Sequence, residues 1–169
     1  MKKIIALAAL SLFACPVFAQ EGESVATLMA RHWKISKEFT IAVAEVMPES
    51  GYSFKPNDEE MSFGDLMIHI AMANANYASR AAGEKNPFTK PESSDKAAAM
   101  KILNESYDYC IQKLGGLSGE LYSKMSGPTG RQMSGTEAAW AGFTHAAHHR
   151  GQAEVYLRVK GLKPPAYRF

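Results

Sequence analysis

Apolar residues recur at three- and four-residue steps through four long segments of this chain. The segments run from about 24 to 47, 62 to 82, 94 to 114 and 134 to 160. Because an α-helix turns once in about 3.6 residues, this spacing gives each segment one apolar face that must be buried. No segment shows the sustained two-residue alternation of a half-buried strand. The pattern therefore predicts an all-α fold.

The predicted helices are bounded by cap and breaker residues. Ser62-Phe63-Gly64-Asp65 resembles a capping box with Asp in the usual Glu position, and Ser134-Gly135-Thr136-Glu137 is a complete box. Gly115-Gly116 and Gly161 end the third and fourth segments. Four amphipathic helices in one chain of this length predict a four-helix bundle. The long connections after the first and third helices argue against a plain up-and-down order of helices.

The first nineteen residues have the features of a cleaved targeting signal. Two lysines precede an apolar run from Ile4 to Ala14, and Val17-Phe18-Ala19 offers small residues at the positions that a signal peptidase recognises. We therefore expect a signal peptide over residues 1–19, export to the periplasm, and a single mature domain over residues 20–169. The apolar run is shorter than the roughly 20 residues that span a bilayer, so no transmembrane segment is expected.

A second interpretation of the leader stays open. Leu12-Phe13-Ala14-Cys15 resembles a lipoprotein signal, which would leave Cys15 lipidated and the protein anchored to a membrane. Under ordinary cleavage Cys15 is removed, and Cys110 remains as a single thiol. Cys110 falls on an apolar helical stripe and is predicted to be a buried core residue.

The charge of the chain argues against nucleic acid as a partner. Removal of the leader takes two of the 19 basic residues, which leaves 17 against 17 acidic residues and a formally neutral mature chain. No basic block remains to attract nucleic acid or anionic lipid. We therefore expect a small-molecule substrate or ligand, whose identity the sequence does not reveal.

Three of the five histidines lie within five residues of the last predicted helix. Residues three or four apart share a helix face, so His145 can present its imidazole beside that of His149, or of His148, to one point. A third ligand must come from another helix, and His69, beside the inner face of the second helix, is the natural candidate for a metal site. Gln152 lies three residues beyond His149 and is expected to be its polar partner.

The predicted set of three histidine ligands would leave coordination positions of the metal free. The chain has no H-E-x-x-H motif, and no cysteine or carboxylate lies at an obvious spacing to complete a four-ligand structural site. Three neutral imidazoles would leave coordination positions to water or substrate, which is typical of catalytic or sensing metals. The candidates for proton transfer are His32, on the inner face of the first helix, and Glu154, near the histidines in sequence.

Two stretches resemble the signatures of the DinB-like (DinB/YfiT) superfamily, and the likeness covers essentially the whole mature chain. The first is Met61–Ala71 with Asn74, and the second is His145–Gln152, followed by Tyr156-Leu157-Arg158, Gly161 and Pro164-Pro165-Ala166-Tyr167. The resemblance implies a four-helix bundle with a long crossover connection. It also implies one divalent metal ion, zinc or nickel, held by His69, His145 and His149, with His148 as a neighbouring non-ligand, and a homodimer.

The resemblance leaves the reaction open. Similar proteins include metal-dependent thiol S-transferases and a thiol-dependent isomerase, and many members have no known activity. We therefore consider a metal-dependent hydrolase or thiol transferase and, as the alternative, a non-catalytic periplasmic stress protein that binds a metal or another ligand. Export counts against the thiol transferase, because most relatives and the low-molecular-weight thiols are cytoplasmic. Trp140 and the Pro164-Pro165-Ala166-Tyr167 tail are interpreted as packing residues.

Overall fold

The computed structural model describes residues 22–128 and 130–169. This part of the chain forms α1 (Val25–Val46), a 3-10 turn (Glu49–Gly51), α2 (Phe63–Ala82), α3 (Lys96–Gly115), α4 (Gly119–Ser123), β1 (Met125–Ser126), β2 (Met133–Ser134) and α5 (Gly135–Val159). The signal peptide predicted over residues 1–19, and Cys15 within it, lie outside the described residues. In the described ranges, no helix is both long and apolar enough to cross a membrane.

Each of the four long helices begins at a polar cap residue, whose side chain accepts a hydrogen bond from the backbone N–H three residues on. The caps are Ser24, Ser62, Asp95 and Ser134. The capping box predicted at Ser134 is confirmed, since Glu137 also accepts from the Ser134 backbone N–H at 2.7 Å. At Ser62 the carboxylate of Asp65 instead accepts from the Ser62 hydroxyl at 2.5 Å, because Asp is one methylene shorter than Glu.

The four long helices form a bundle in which helices that are consecutive in the sequence do not always pack against each other. Helix α2 packs mainly against α3 and α5, and α1 packs against the same two helices. Helices α1 and α2 are therefore diagonal to each other, so the connection over residues 47–62 must cross one end of the bundle. This arrangement confirms the predicted four-helix bundle with a long crossover connection.

The crossover connection is held by buried tyrosine contacts. Tyr52 donates its hydroxyl to the carbonyl oxygen of Ala44 at 2.9 Å, and its own carbonyl oxygen accepts from the Gly64 N–H at 2.8 Å. From α5, Tyr156 donates its hydroxyl to the carbonyl oxygen of Met61 at 3.0 Å. The residues just before Met61 are thereby brought against α5.

The connection from α3 to α5 contains two features that periodicity did not predict. These are the short helix α4 and an antiparallel ribbon in which Met125 of β1 is opposite Ser134 of β2. Elements of five and two residues are shorter than the stretch over which a helical or strand period becomes visible.

The core confirms one predicted packing residue and corrects another. Cys110 is fully buried, and burial raises the pKa of its thiol. Trp140 is 59% exposed, so its interpretation as a packing residue was wrong. The buried neighbours Ala139 and Gly142 face the core. Trp140 therefore points toward solvent, where its ring stacks on that of Phe143.

The C-terminal tail folds back onto α1, as expected. The ring of Tyr167 lies 5.8 Å from that of Phe39 in an edge-to-face arrangement, and the ring of Phe169 lies 4.9 Å from that of His32. These contacts cover part of the groove between α1 and α5.

Candidate metal centre

Two packed helices carry the three histidines. His69 lies on α2, and His145 and His149 lie one turn apart on α5, the helix that packs beside it. Gly142 allows the close approach of these helices, since a Cβ atom there would lie 2.8 Å from the Cβ of Tyr77 on α2. A side chain at position 142 would force the helices apart, so this glycine helps to bring the imidazoles together.

The three imidazoles converge through their Nε2 atoms. The Nε2 of His69 lies 3.1 Å from that of His145 and 3.2 Å from that of His149, and the three candidate ligand atoms all lie within 4.8 Å of one another. Zinc–nitrogen bonds of about 2.0–2.1 Å at tetrahedral angles place nitrogens roughly 3.3 Å apart, so this spacing fits one ion. Among the described residues, the group includes no fourth His, Cys, Asp or Glu. The cluster could therefore hold one metal ion with three protein ligands.

The surroundings favour the neutral form of two of these imidazoles. Burial is the largest cause that lowers the pKa of His145 to about 4, followed by the neighbouring imidazoles of His149 and His69. Burial is also the largest cause that lowers the pKa of His69, and the charges of His149 and Lys90 lower it further. Because neutral imidazole is the form that binds a metal, protons compete little for His69 and His145 near pH 7.

A chain of hydrogen bonds sets the tautomer of His149. A carboxylate accepts hydrogen bonds, so the amide nitrogen of Gln152 donates to Oε2 of Glu60 at 2.7 Å. The amide oxygen of Gln152 then faces Nδ1 of His149 at 2.9 Å, and this ring nitrogen must carry the donated proton. The lone pair of His149 is therefore on Nε2, where the other imidazoles converge. Gln152 is the polar partner that the sequence predicts, and Glu60, from the crossover connection, was missed.

The remaining predicted residues lie outside this cluster. His148 is exposed, with its ring 4.8 Å from that of His149, and it is not among the converging ligands. His32 packs against aromatic rings on the α1 side of α5. Glu154 lies 3.6 Å from Arg158, one turn farther along α5. The structure therefore does not bring His32 or Glu154 to the three histidines.

A cleft of about 480 Å³ opens beside His69. Its charged lining residues are Lys55, Asp58, Glu59, Glu60, Asp65 and Lys90. The acidic run Asp58-Glu59-Glu60 is visible in the sequence, but a charged run in a loop is usually solvated and did not indicate a site. Only the path of the crossover connection places it beside His69.

Replacing Gln152 by leucine is expected to weaken zinc binding about 10- to 100-fold, because His149 would lose the acceptor that orients its ring. Glu60→Leu should weaken zinc binding in the same direction but less, since the amide of Gln152 would be free to turn. Competition with a chromogenic zinc chelator measures both constants. Glu59→Gln, at the neighbouring cleft residue, is the control and should leave the constant unchanged. An unaltered constant in Gln152→Leu would show that His149 does not depend on this chain.

Comparison with known proteins gives relatives in sequence and in fold. The chain is similar to the Bacillus subtilis (strain 168) protein named "Uncharacterized protein YjoA", with 24% identity over 135 residues, which are 77% of this chain and 87% of the relative. The crystal structure of a DinB-like protein, YjoA from Bacillus subtilis, has a TM-score of 0.71 at 22% identity and covers 83% of this chain and 98% of its own. That of a DinB-like protein from Bacillus cereus ATCC 10987 has a TM-score of 0.72 at 20% identity, with 82% and 95% covered.

The family model extends the likeness to nearly the full length of the chain. The model described as the DinB family matches residues 21–169, a range that includes all four long helices and all three converging histidines. This chain therefore belongs to the DinB family.

Proposed function

We propose that this protein is a metal-dependent hydrolase or transferase that acts on a small molecule bound in the cleft beside His69. The observation that carries the proposal is the convergence of three imidazole nitrogens, one of which belongs to His69 in the lining of that cleft. Three protein ligands leave coordination positions for water or substrate, as catalytic sites do and closed structural sites do not.

In this proposal His69, His145 and His149 hold one zinc or nickel ion, since imidazole is a suitable ligand for both metals. When bound, the ion would supply Lewis-acid activation of water or of a substrate group. The spacing of the three nitrogens and the lowered pKa values of His69 and His145 support the assignment of these residues.

The residues of the cleft have separate roles in this proposal. Asp58 and Glu59 are exposed carboxylates on the cleft wall and are the groups placed to accept a proton from a bound substrate. Lys90 lines the same cleft, and its charge contributes to the lowered pKa of His69. Lys90 is therefore a cation placed to bind an anionic part of the substrate.

The direct test measures metal content and turnover together. Protein loaded with zinc or nickel, and its His145→Ala variant, would be assayed on ester, amide and phosphoester panels and on the transfer of thiols to electrophiles. We expect turnover that requires both the metal and His145. Tight metal binding without His145-dependent turnover in any panel would contradict an enzyme and leave a metal-binding protein.

The openness of the site can be tested without a substrate. Cobalt(II)-substituted protein would be titrated with azide, a small ligand that changes the visible spectrum when it enters the coordination sphere. We expect a saturable spectral change, and the His148→Ala variant should reproduce it. A spectrum that does not respond to azide would contradict an open coordination sphere.

We also propose that the protein is exported, on the strength of the leader-like residues 1–19. Mass spectrometry of protein from the periplasmic fraction should find an N-terminus at Gln20. A lipid-modified N-terminus at Cys15 would instead support a membrane anchor, and full-length protein confined to the cytoplasm would contradict both. The homodimer is likewise a proposal that rests on the family resemblance, and light scattering of the purified protein tests it.

A further inference from the structure

Arg150 is a buried cation for which the described residues provide no acidic partner. The residue is only 7% exposed, and it takes part in none of the ion pairs in residues 22–128 and 130–169. Its Nη1 donates to the hydroxyls of Ser36 at 3.1 Å and Thr40 at 3.4 Å, and its guanidinium lies 4.5 Å from the ring centroid of Phe39. Burying an unpaired charge is costly, and two hydroxyls with one aromatic face offset only part of that cost.

A small cavity lies beside this guanidinium, between α1, α5 and the C-terminal tail. Its volume is about 80 Å³, enough for roughly two to three water molecules at about 30 Å³ each. Arg150 and Arg168 supply its positive charge, and Ser36, Phe143 and Phe169 form other parts of the wall. The cavity is on the α1 side of α5, whereas the histidine cluster is on the α2 side.

The Nε and Nη2 atoms of Arg150 are the donors that remain. Of the three guanidinium nitrogens of Arg150, only Nη1 has a hydrogen-bond acceptor among the described residues. A guanidinium offers two parallel N–H groups that match the two oxygens of a carboxylate. The apolar rings of Phe143 and Phe169 line the same cavity and can pack against a short hydrocarbon chain.

We infer that this cavity binds a small organic carboxylate, with the carboxylate on Arg150 and a short apolar chain against the aromatic wall. A carboxylate site would account for two features of this cavity that have no role in the metal centre. One is Arg150, which directly follows His149, and the other is the C-terminal tail, which closes the cavity with Tyr167 and Phe169.

The experiment uses metal-free protein, so that a carboxylate cannot bind to a metal ion instead. Propionate is the probe, and its neutral isostere propionamide and inorganic phosphate are compared with it at constant ionic strength. Two-dimensional ¹H–¹⁵N NMR follows the Nε–H of Arg150 and the backbone amides of Ser36 and Ala147. We expect saturable shifts at these positions, with propionamide and phosphate binding at least tenfold more weakly.

Two variants test the location of the site without removing the buried guanidinium. Ala147→Leu fills the cavity from α5 and should weaken propionate binding at least tenfold while zinc binding persists. Arg168→Gln removes the second positive charge, together with its 3.8 Å ion pair to Glu38, and should weaken propionate binding by a smaller factor. Equal binding of propionate and propionamide, stronger binding of phosphate, or shifts confined to the residues around His69 would overturn the inference.

Discussion

Replacing His145 by alanine is expected to lower the affinity of the protein for zinc about 100- to 1000-fold. Structural zinc sites release roughly 10–16 kcal/mol over four ligands, so one ligand contributes about 2.5–4 kcal/mol. The Nε2 of His145 lies 3.1 Å from that of His69, and alanine would leave only two of the three converging nitrogens. Chelator competition measures the dissociation constant, and thermal unfolding with and without zinc gives an independent reading of the same loss.

His148→Ala is the matched control for this prediction. The two histidines are three residues apart on α5, but His148 is exposed and is not among the converging ligands. Its removal should leave both the zinc affinity and the zinc-dependent rise in melting temperature unchanged. A loss in His148→Ala as large as that in His145→Ala would mean that His148 is a ligand and that the proposed set is wrong.

Replacing Gly64 by alanine should destabilise the metal-free protein by about 3 kcal/mol, at the upper end of the cost of overpacking. A Cβ atom at position 64 would meet the backbone carbonyl oxygen of Ser94, two residues before α3 begins. A backbone atom cannot move aside as a flexible side chain can. The Gly64 N–H also donates to Tyr52 at 2.8 Å, so the shift would loosen the crossover connection that carries Glu60. Urea unfolding at a fixed pH measures the change.

Gly151→Ala is the control, because it adds the same methyl group to a helix without a neighbour. Apart from the two chain neighbours and the nearby backbone of its own helix, no described atom lies within 4 Å of a Cβ built at Gly151. This exposed position is inside α5. Alanine restricts the unfolded chain more than glycine does, so this variant should be stabilised by about 0.5–1 kcal/mol. Similar stabilities for Gly64→Ala and Gly151→Ala would show that the contact with Ser94 relaxes at no cost.

The helices were predictable because helix formation depends on residues that are close in sequence. The capping box at Ser134 needs only Glu137 three residues on, and both of its hydrogen bonds are present. The shared face of His145 and His149 likewise follows from their separation of four residues. Cys110 could be placed in the core by the same reasoning, since its position on the apolar stripe is a property of one helix.

Contacts between helices were harder to predict, and the two cases of Trp140 and Glu60 show why. Apolar character alone suggested that Trp140 packs inside, but the face that α5 turns toward the core is decided by its small residues, including Gly142 against Tyr77. Glu60 belongs to an acidic run in an irregular connection, where no periodicity indicates which helix it will meet. Its bond to Gln152 joins residues 92 positions apart.

The sequence by itself determined the four amphipathic helices, their caps and the pair of imidazoles on the last helix, because each of these is set within a few turns of one helix. The sequence also offered His69 as the candidate third ligand, but only the tertiary structure brings it to that pair across 76 and 80 residues. Tertiary structure alone decided that Glu60 orients Gln152 and that Arg150 is buried beside a cavity. The physical reason is that these contacts depend on which helix faces pack together. Which helix faces pack together depends on the close approach of α2 and α5 at Gly142 and on the crossover connection over residues 47–62. Neither of these can be predicted from a local sequence pattern.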